Sequence, residues 1–151
     1  MTPAARRFVL VIAAVACVPA GPLTAGDEPT KADPDNPSLV ARGKGVYEQH
    51  CASCHGAKLE GQPNWRKRVP NGRMPAPPHD ATGHTWHHSD TQLFDVTKIG
   101  PAGLVPGYQS DMPGFKDILT DSEIWAVLSF IESTWPPDIR ARQRRMTQPG
   151  Q

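Results

Sequence analysis

The sequence is poor in the residues that mark several large classes of protein. It has only three cysteines, Cys17, Cys51 and Cys54, too few for a closed zinc site unless histidines complete it. Its 16 lysines and arginines against 15 aspartates and glutamates lack the basic excess of a nucleic-acid-binding protein. No stretch alternates apolar and polar residues as a half-buried β-strand does. These absences disfavour a nucleic-acid binder and a sheet protein.

Long apolar runs are lacking as well. The run from Phe8 to Val18 has 11 residues, which is too short to cross a bilayer as a permanent helix. Two arginines precede it, and the small-residue site Leu23-Thr24-Ala25 follows it. This pattern predicts a signal peptide over residues 1–25 and a periplasmic mature protein. Lipoprotein processing at Cys17 and an uncleaved N-terminal anchor remain as alternatives.

The two remaining cysteines lie in the sequence Cys51-Ala52-Ser53-Cys54-His55. This C-x-x-C-H pattern predicts covalent attachment of one haem c, because two thiols one helical turn apart can each bond to a vinyl group of the same haem. The imidazole of His55 then reaches the iron from the proximal side. A thioredoxin-like pair would need a βαβ context, which the flanking sequence does not provide.

Three segments have the spacing of amphipathic helices. The first runs from about Ser38 to His50 after an N-cap at Asn36. The second covers Asp90 to Ile99, and the third begins at the capping box Thr120-Asp121-Ser122-Glu123. The Pro136-Pro137 pair is expected to end it. The fold is therefore predicted to be all-α.

The first helix contains two glycines, which each cost about 1 kcal/mol relative to alanine in a helix interior. Glycines on a helix face indicate the close approach of another backbone. We therefore expect Gly43 and Gly45 to mark the crossing with the C-terminal helix. Gly43 and Tyr47 should pack against the face that carries Val127 and Phe130.

The chain divides into four parts on this interpretation. Residues 1–25 form the signal peptide, 26–37 a flexible leader, 38–135 a single haem-binding domain, and 136–151 a basic tail that is expected to be disordered. The proline-rich segment 57–88 is expected to be a loop that covers the haem. The tail offers a docking surface for an acidic redox partner or an anionic lipid.

Three groups of residues resemble the class I mono-haem cytochromes c of the bacterial periplasm. Gly43 and Tyr47 stand eight and four residues before Cys51, and Cys51 to Gly56 form the attachment motif. The segment from Ser110 to Phe115 and the final helix resemble the family's methionine loop and last helix. The resemblance implies a small cytochrome c-like fold with crossing N- and C-terminal helices, and an electron-transfer function.

The resemblance also implies that Met112 is the sixth ligand of the haem iron. Met74-Pro75 has the same local form as Met112-Pro113, so Met74 is an alternative, with a packing role at the haem edge as its simpler interpretation. Ligation by a second histidine is the remaining alternative. Its candidates are His79, His84, His87 and His88.

Other residues of the central loop are candidates for the site on less specific grounds. The indole N–H of Trp86 and the guanidinium of Arg73 are donors that could hold a haem propionate, although a core tryptophan and a surface arginine are the simpler interpretations. His84, His87 and His88 form a cluster that could bind a second metal ion such as copper. Solvated loop histidines are the simpler interpretation of that cluster.

Iron with His55 and Met112 as axial ligands has no position left for a substrate. The sequence therefore predicts an electron carrier and not an enzyme, which meets its donor and acceptor proteins through a small, transient interface. Two alternatives remain open. One is a haem-bearing subunit of a periplasmic redox enzyme, and the other is a haem sensor with a displaceable distal ligand.

Overall fold

The structure is a computed structural model that describes residues 28–148. This range contains helices and connecting loops with no β-strand, so the predicted all-α fold is confirmed. The signal peptide and Cys17 lie outside the described residues. The helices are α1 (Pro37–His50), α2 (Ala52–His55), α3 (Asp90–Ile99), α4 (Pro101–Leu104), α5 (Asp121–Ser133) and α6 (Pro137–Thr147), with a 3-10 turn at Thr85–His87.

No helix between residues 28 and 148 has the length and apolar character needed to cross a membrane.

The helix starts follow the local capping chemistry of the sequence. The side chain of Asn36 accepts hydrogen bonds from the backbone N–H groups of Ser38 and Leu39, at 3.1 and 3.2 Å. The hydroxyl of Thr120 accepts from the N–H of Glu123, and the Glu123 carboxylate accepts from the N–H of Thr120. These bonds satisfy backbone donors that a helix N-terminus leaves without partners. The predicted starts of α1 and α5 are confirmed.

Helices α1 and α5 cross closely at Gly43. A Cβ atom built on Gly43 would lie 1.9 Å from the carbonyl oxygen of Ala126, so only glycine fits here. One turn later, Tyr47 is buried with its ring centroid 5.4 Å from that of Phe130. The predicted crossing is confirmed at Gly43. It is wrong for Gly45, where a Cβ would meet no atom within 4 Å.

The apolar core lies between α1, α3 and α5 and continues into the loop before α5. Helix α5 supplies its centre, because its apolar positions recur at helical spacing and face inward. The side chains of Leu93 and Phe94 extend the core from α3, and Phe94 stacks on Trp125 with centroids 4.3 Å apart. The large apolar side chains that α5 buries are Ile124, Val127, Leu128 and Ile131.

The proline-rich segment 57–88 is an ordered loop tied to the helical frame. The backbone N–H of His79 donates to the carbonyl of Leu59 at 2.8 Å, and the indole N–H of Trp135 donates to the carbonyl of His79 at 2.7 Å. Two residues of the loop itself, Leu59 and Thr85, are buried. The loop therefore has fixed anchors at the end of α5 and just after the Cys51–His55 motif.

The leader is packed against the protein over its described part, so the prediction of a flexible leader needs correction there. Ala32 is buried, and the backbone N–H of Asp33 donates to the hydroxyl of Ser129 at 2.8 Å. The carboxylate of Asp35 accepts from Arg140 and Arg144, both at 2.9 Å. Contacts distant in sequence hold this segment, and its polar composition does not reveal them.

The prediction of a disordered basic tail is wrong, because residues 137–147 form helix α6. Pro137 is its first residue, a position where the missing proline N–H costs nothing. The Pro136-Pro137 pair therefore ends one helix and starts the next. Gln143 is 2% exposed and donates to Asp90 at the start of α3. The hydroxyl of Thr147 also donates to Asp90, at 2.7 Å.

Helix α6 packs beside a buried acid, Glu132 of α5. Its side chain is 4% exposed, and its Oε1 atom has no hydrogen-bond partner among residues 28–148. Burial, together with the smaller effect of the negative charge of Asp90, raises the pKa of Glu132 to about 9. Arg144 and Arg140 act in the opposite direction. Glu132 is therefore neutral in the folded protein near pH 7.

The raised pKa of Glu132 predicts a loss of stability with increasing pH. The folded protein holds a proton that the unfolded chain releases above its ordinary value of 4.5, so stability declines from there up to about pH 9. We expect Glu132→Gln to remove this decline and to stabilise the protein at pH 8 by about 1 kcal/mol or more. Chemical unfolding of both holoproteins at pH 5 and pH 8 measures the difference.

Glu123 provides the control for this experiment. Its hydrogen bonds with Thr120 lower the pKa of Glu123, so its contribution to stability is lost as pH falls, not as pH rises. Glu123→Gln should therefore leave the decline above pH 5 in place. An unchanged pH dependence in Glu132→Gln would contradict the assignment of Glu132 as the buried neutral acid.

Candidate haem site

A cavity of about 590 Å³ lies between the helices and the central loop. This volume is within the range of roughly 300–1,000 Å³ that is usual for cofactor and ligand pockets. The motif Cys51–His55 forms one part of its wall, and the apolar side chains of Leu93, Val127 and Leu128 form another. The core of this small domain therefore has a large cavity beside it.

Both cysteines of the motif reach the cavity. Cys51 follows the last residue of α1, and its backbone N–H donates to the carbonyl of Tyr47, so α1 fixes its position. Cys54 lies in α2, one helical turn further on. Both are free thiols, and burial raises the pKa of Cys51 to about 11. The pair is therefore positioned to bond with one flat molecule in the cavity.

His55 is held in the orientation that a metal-binding imidazole needs. Its Nδ1 atom lies 2.8 Å from the carbonyl oxygen of Pro77, so Nδ1–H is the donor and Nε2 is the free atom. Burial lowers the pKa of His55, which keeps the ring neutral. A neutral ring whose other nitrogen donates to a carbonyl is the usual form of a histidine ligand. The central loop thus orients a residue of α2.

His79 stacks on His55, with ring centroids 4.0 Å apart and planes 22° from parallel. Its Nδ1 atom is 2.8 Å from the hydroxyl of Thr85, and burial lowers the pKa of His79 well below its usual value. The stack places His79 beside His55 and not across the cavity from it. This geometry argues against His79 as a ligand on the opposite face of a haem.

Both candidate methionines line the cavity, but they differ in how the surrounding structure holds them. Met112 packs against the buried core, and its backbone N–H donates to the hydroxyl of Ser110 at 3.0 Å. Met74 lies in the central loop. An ion pair between Arg73 and Asp111, the residues just before the two methionines, joins these segments.

The backbone that follows Met112 is fixed to the end of α3. The N–H of Phe115 donates to the carbonyl of Thr97 at 3.0 Å. The N–H of Lys116 donates to the carbonyl of Lys98, also at 3.0 Å. A Cβ atom on Gly114 would lie 2.5 Å from the carbonyl oxygen of Ile99, so this approach requires glycine. Met112 is thus attached to a rigid frame.

Trp86 and Arg73, the two residues predicted to donate hydrogen bonds to a haem propionate, lie outside the cavity wall. The indole N–H of Trp86 donates to the carbonyl of Ala81 at 3.3 Å, and its ring contacts both His87 and Arg142 of α6. Arg73 is used in its ion pair with Asp111. Neither Trp86 nor Arg73 lines the cavity. Trp86 contacts Arg142 of α6, and Arg73 pairs with Asp111. The sequence predicted neither contact.

Several polar residues that were not predicted to belong to the site also line the cavity, among them Arg66, Tyr108 and Gln62. Trp65, which precedes Arg66, lines it as well. The stretch from Trp65 to Arg68 combines an aromatic residue with three cations, and this composition is the one signal that could have drawn attention to it.

The histidine cluster does not form a metal site in the part of the chain that the structure describes. No three His, Cys, Asp or Glu side chains there are arranged to hold a metal ion. The ring of His84 stacks on Trp65 with centroids 5.3 Å apart, and the ring of His87 stacks on Trp86 at 3.7 Å. The histidines are directed to different aromatic neighbours.

The residues around the cavity fit a covalently bound haem. They provide two thiols at the required spacing, one oriented neutral imidazole, a thioether and a largely apolar wall. Imidazole and thioether are established axial donors to haem iron. The cavity also reaches cationic and hydrogen-bonding side chains, which the two carboxylates of a haem need.

Comparison with known proteins agrees with this chemistry. The Cytochrome c family model matches residues 40–135. Cytochrome c-555 of Prosthecochloris aestuarii is 34% identical over 81 residues, which cover 50% of this chain and 81% of that protein. The chain belongs to the Cytochrome c family. It carries covalently bound haem c and is a c-type electron-transfer protein.

Proposed function

We propose that this chain is an exported electron carrier with one haem c, ligated by His55 and Met112. One observation carries the proposal: a pre-oriented His55 and a core-anchored Met112 line the same cavity as the two thiols. The signal-peptide pattern of residues 1–25 supports a periplasmic location. When bound, the haem supplies reversible one-electron exchange between ferrous and ferric iron.

Cys51 and Cys54 are the residues that attach the cofactor. Each thiol would form one thioether bond to the haem, and both thiols come from the junction of α1 and α2. Because α1 crosses α5 at Gly43, the attachment point is fixed to the best-packed part of the molecule. The chain would thereby hold the attached haem at a constant position relative to the core.

His55 and Met112 set the preference for one oxidation state. The bond from Nδ1 of His55 to Pro77 raises the basicity of Nε2 and prevents rotation of the ring. The thioether of Met112 is a soft donor that favours ferrous iron and raises the reduction potential relative to a second histidine. With haem bound, His55 and Met112 would be the two side chains that hold the iron, and no coordination position would be left for a substrate.

Partner proteins exchange electrons with this carrier at the exposed edge of the cavity, through a small and transient interface. The basic helix α6 is a weaker candidate for this contact than its sequence suggested. Arg140 and Arg144 are paired with Asp35, and Arg142 lies over the ring of Trp86. Pairing reduces the positive charge that the helix offers to an acidic surface.

Addition of carbon monoxide to the reduced protein tests the carrier function. A carrier in which Met112 is held by the core should keep its visible spectrum, because the distal position stays occupied. A sensor or a ligand-binding protein would show the spectrum of a carbon monoxide complex within the mixing time. That second result would overturn the proposed function.

A further inference from the structure

Four neighbouring side chains form a stack at the wall of the cavity. The guanidinium of Arg66 lies over the ring of Trp65, 4.2 Å from its centroid. Trp65 is nearly parallel to His84, with planes 10° apart and centroids separated by 5.3 Å. His84 in turn meets the edge of His88 at 5.5 Å. All four residues line the cavity, and we call them the Arg66 stack.

The donors of the Arg66 stack are free, in contrast to those of comparable side chains nearby. Within residues 28–148, none of its four side chains makes a hydrogen bond to another residue. Arg68 donates to the carbonyl of Gly72, and Arg73 donates to Asp111. The indole N–H groups of Trp86 and Trp135 donate to backbone carbonyls. The stack is therefore a set of donors for which residues 28–148 supply no acceptor, and Arg66 is an exposed member of it.

A haem has one polar edge, which bears two propionate carboxylates. A carboxylate beside an apolar cavity needs a hydrogen-bonding or cationic partner, because an unpaired charge loses its hydration there. The planar guanidinium of arginine matches the geometry of a carboxylate and can donate two parallel bonds to it. Imidazole N–H groups donate to the same kind of acceptor.

We propose that the Arg66 stack is the propionate-binding wall of the site, with Arg66 as the main cation and His84 and His88 as further donors. Trp65 is a positioning residue, because its ring contacts both the guanidinium of Arg66 and the ring of His84. The inference rests on the assignment of the cavity to the haem. It replaces the earlier assignment of Trp86 and Arg73 to this role.

The charges around His84 agree with an anionic neighbour. Partial burial lowers the pKa of His84, and His88, His87 and Arg66 lower it further. Several positive or potentially positive groups thus lie together without a carboxylate among them. An anion placed against these groups would attract the guanidinium of Arg66 and favour the protonated form of His84, and two propionates would supply it.

The test compares Arg66→Gln with Lys67→Gln in the purified holoprotein. Both substitutions remove one positive charge from adjacent exposed positions, but only Arg66 lines the cavity. We expect Arg66→Gln to lower the reduction potential by clearly more than Lys67→Gln, because a propionate without its cation stabilises ferric iron more strongly. We also expect the redox-difference infrared spectrum to show a shifted propionate carboxylate band in Arg66→Gln alone.

Two further variants keep the proposal testable. Arg66→Lys retains the charge without the planar fork, so the potential should stay near that of wild type while the carboxylate band shifts. Trp65→Leu leaves Arg66 in place but removes its support, so both readouts should move in the direction of Arg66→Gln. If Arg66→Gln matches Lys67→Gln in potential and no variant shifts the band, the proposal is overturned.

The outcome is independent of the iron ligands assigned above. Covalent attachment and the absorption band of a thioether ligand report the proposed function in the unsubstituted protein. A normal thioether band with no effect of Arg66→Gln would reject only the propionate wall. A missing thioether band with a shifted carboxylate signal would reject only the Met112 assignment.

Discussion

Met112→Ala is expected to lower the reduction potential of the holoprotein strongly, whereas Met74→Ala is expected to leave it near the wild-type value. The first substitution removes the soft donor that favours ferrous iron, and water or a nearby histidine takes its place. Haem should remain on the chain, because Cys51, Cys54 and His55 are unchanged. Spectroelectrochemical titration of the three proteins measures the effect.

Met74→Ala is a matched control, since both methionines line the cavity and both precede a proline. They differ in their anchoring, as only Met112 packs against the buried core. A large decrease in potential with Met74→Ala and none with Met112→Ala would reverse the assignment. If neither variant changes the potential, a histidine of the segment 84–88 becomes the leading distal ligand.

Gly43→Val is expected to destabilise the protein by about 3 kcal/mol or more, at or beyond the upper end of the usual cost of overpacking. The added Cβ would lie 1.9 Å from a backbone carbonyl of α5, which cannot rotate away as a side chain would. Helices α1 and α5 would have to separate, and the attachment residues at the end of α1 would move with them. Chemical unfolding of the holoprotein measures the loss.

Gly45 provides the matched control on the same helix. A Cβ there meets no atom within 4 Å. Gly45→Ala should therefore stabilise α1 by roughly 0.5–1 kcal/mol, because alanine loses less backbone freedom on folding. Equal effects of Gly43→Ala and Gly45→Ala would show that the crossing at Gly43 is not as close as the structure has it.

Local chemistry explains why much of the frame could be predicted from the sequence. The caps at Asn36, Ser89 and Thr120 act within three residues, so the starts of α1, α3 and α5 are encoded locally. The attachment motif is equally local, since both thiols and the imidazole lie within five residues. Gly43 was informative because a helix interior disfavours glycine without a tertiary reason.

The sequence did not predict helix α6, because contacts with residues distant in the sequence stabilise it. A segment rich in arginine looks solvated, and its contacts with Asp35 and Asp90 join residues more than 50 positions apart. Proline at the first helical position has the same sequence signature as proline that ends a helix. The buried Gln143 has no counterpart in the hydrophobic pattern, which marks apolar residues only.

The partners of the central loop could not be predicted for a related reason. Its conformation depends on anchors such as the bond from Trp135 to His79, which joins residues 56 positions apart. Which donor faces the cavity follows from those anchors and not from residue type. Trp65 and Trp86 are the same residue type in the same loop, yet Trp65 lines the cavity and Trp86 packs against α6.

The near-infrared spectrum of the oxidised protein, recorded for wild type and Met112→Ala, is the most direct test of the central claim that His55 and Met112 hold the haem iron. We predict a weak charge-transfer band in the wild-type protein, as expected for a thioether bound to ferric iron, and its complete loss in Met112→Ala. A wild-type protein without this band, or a Met112→Ala protein that retains it, would contradict the claim.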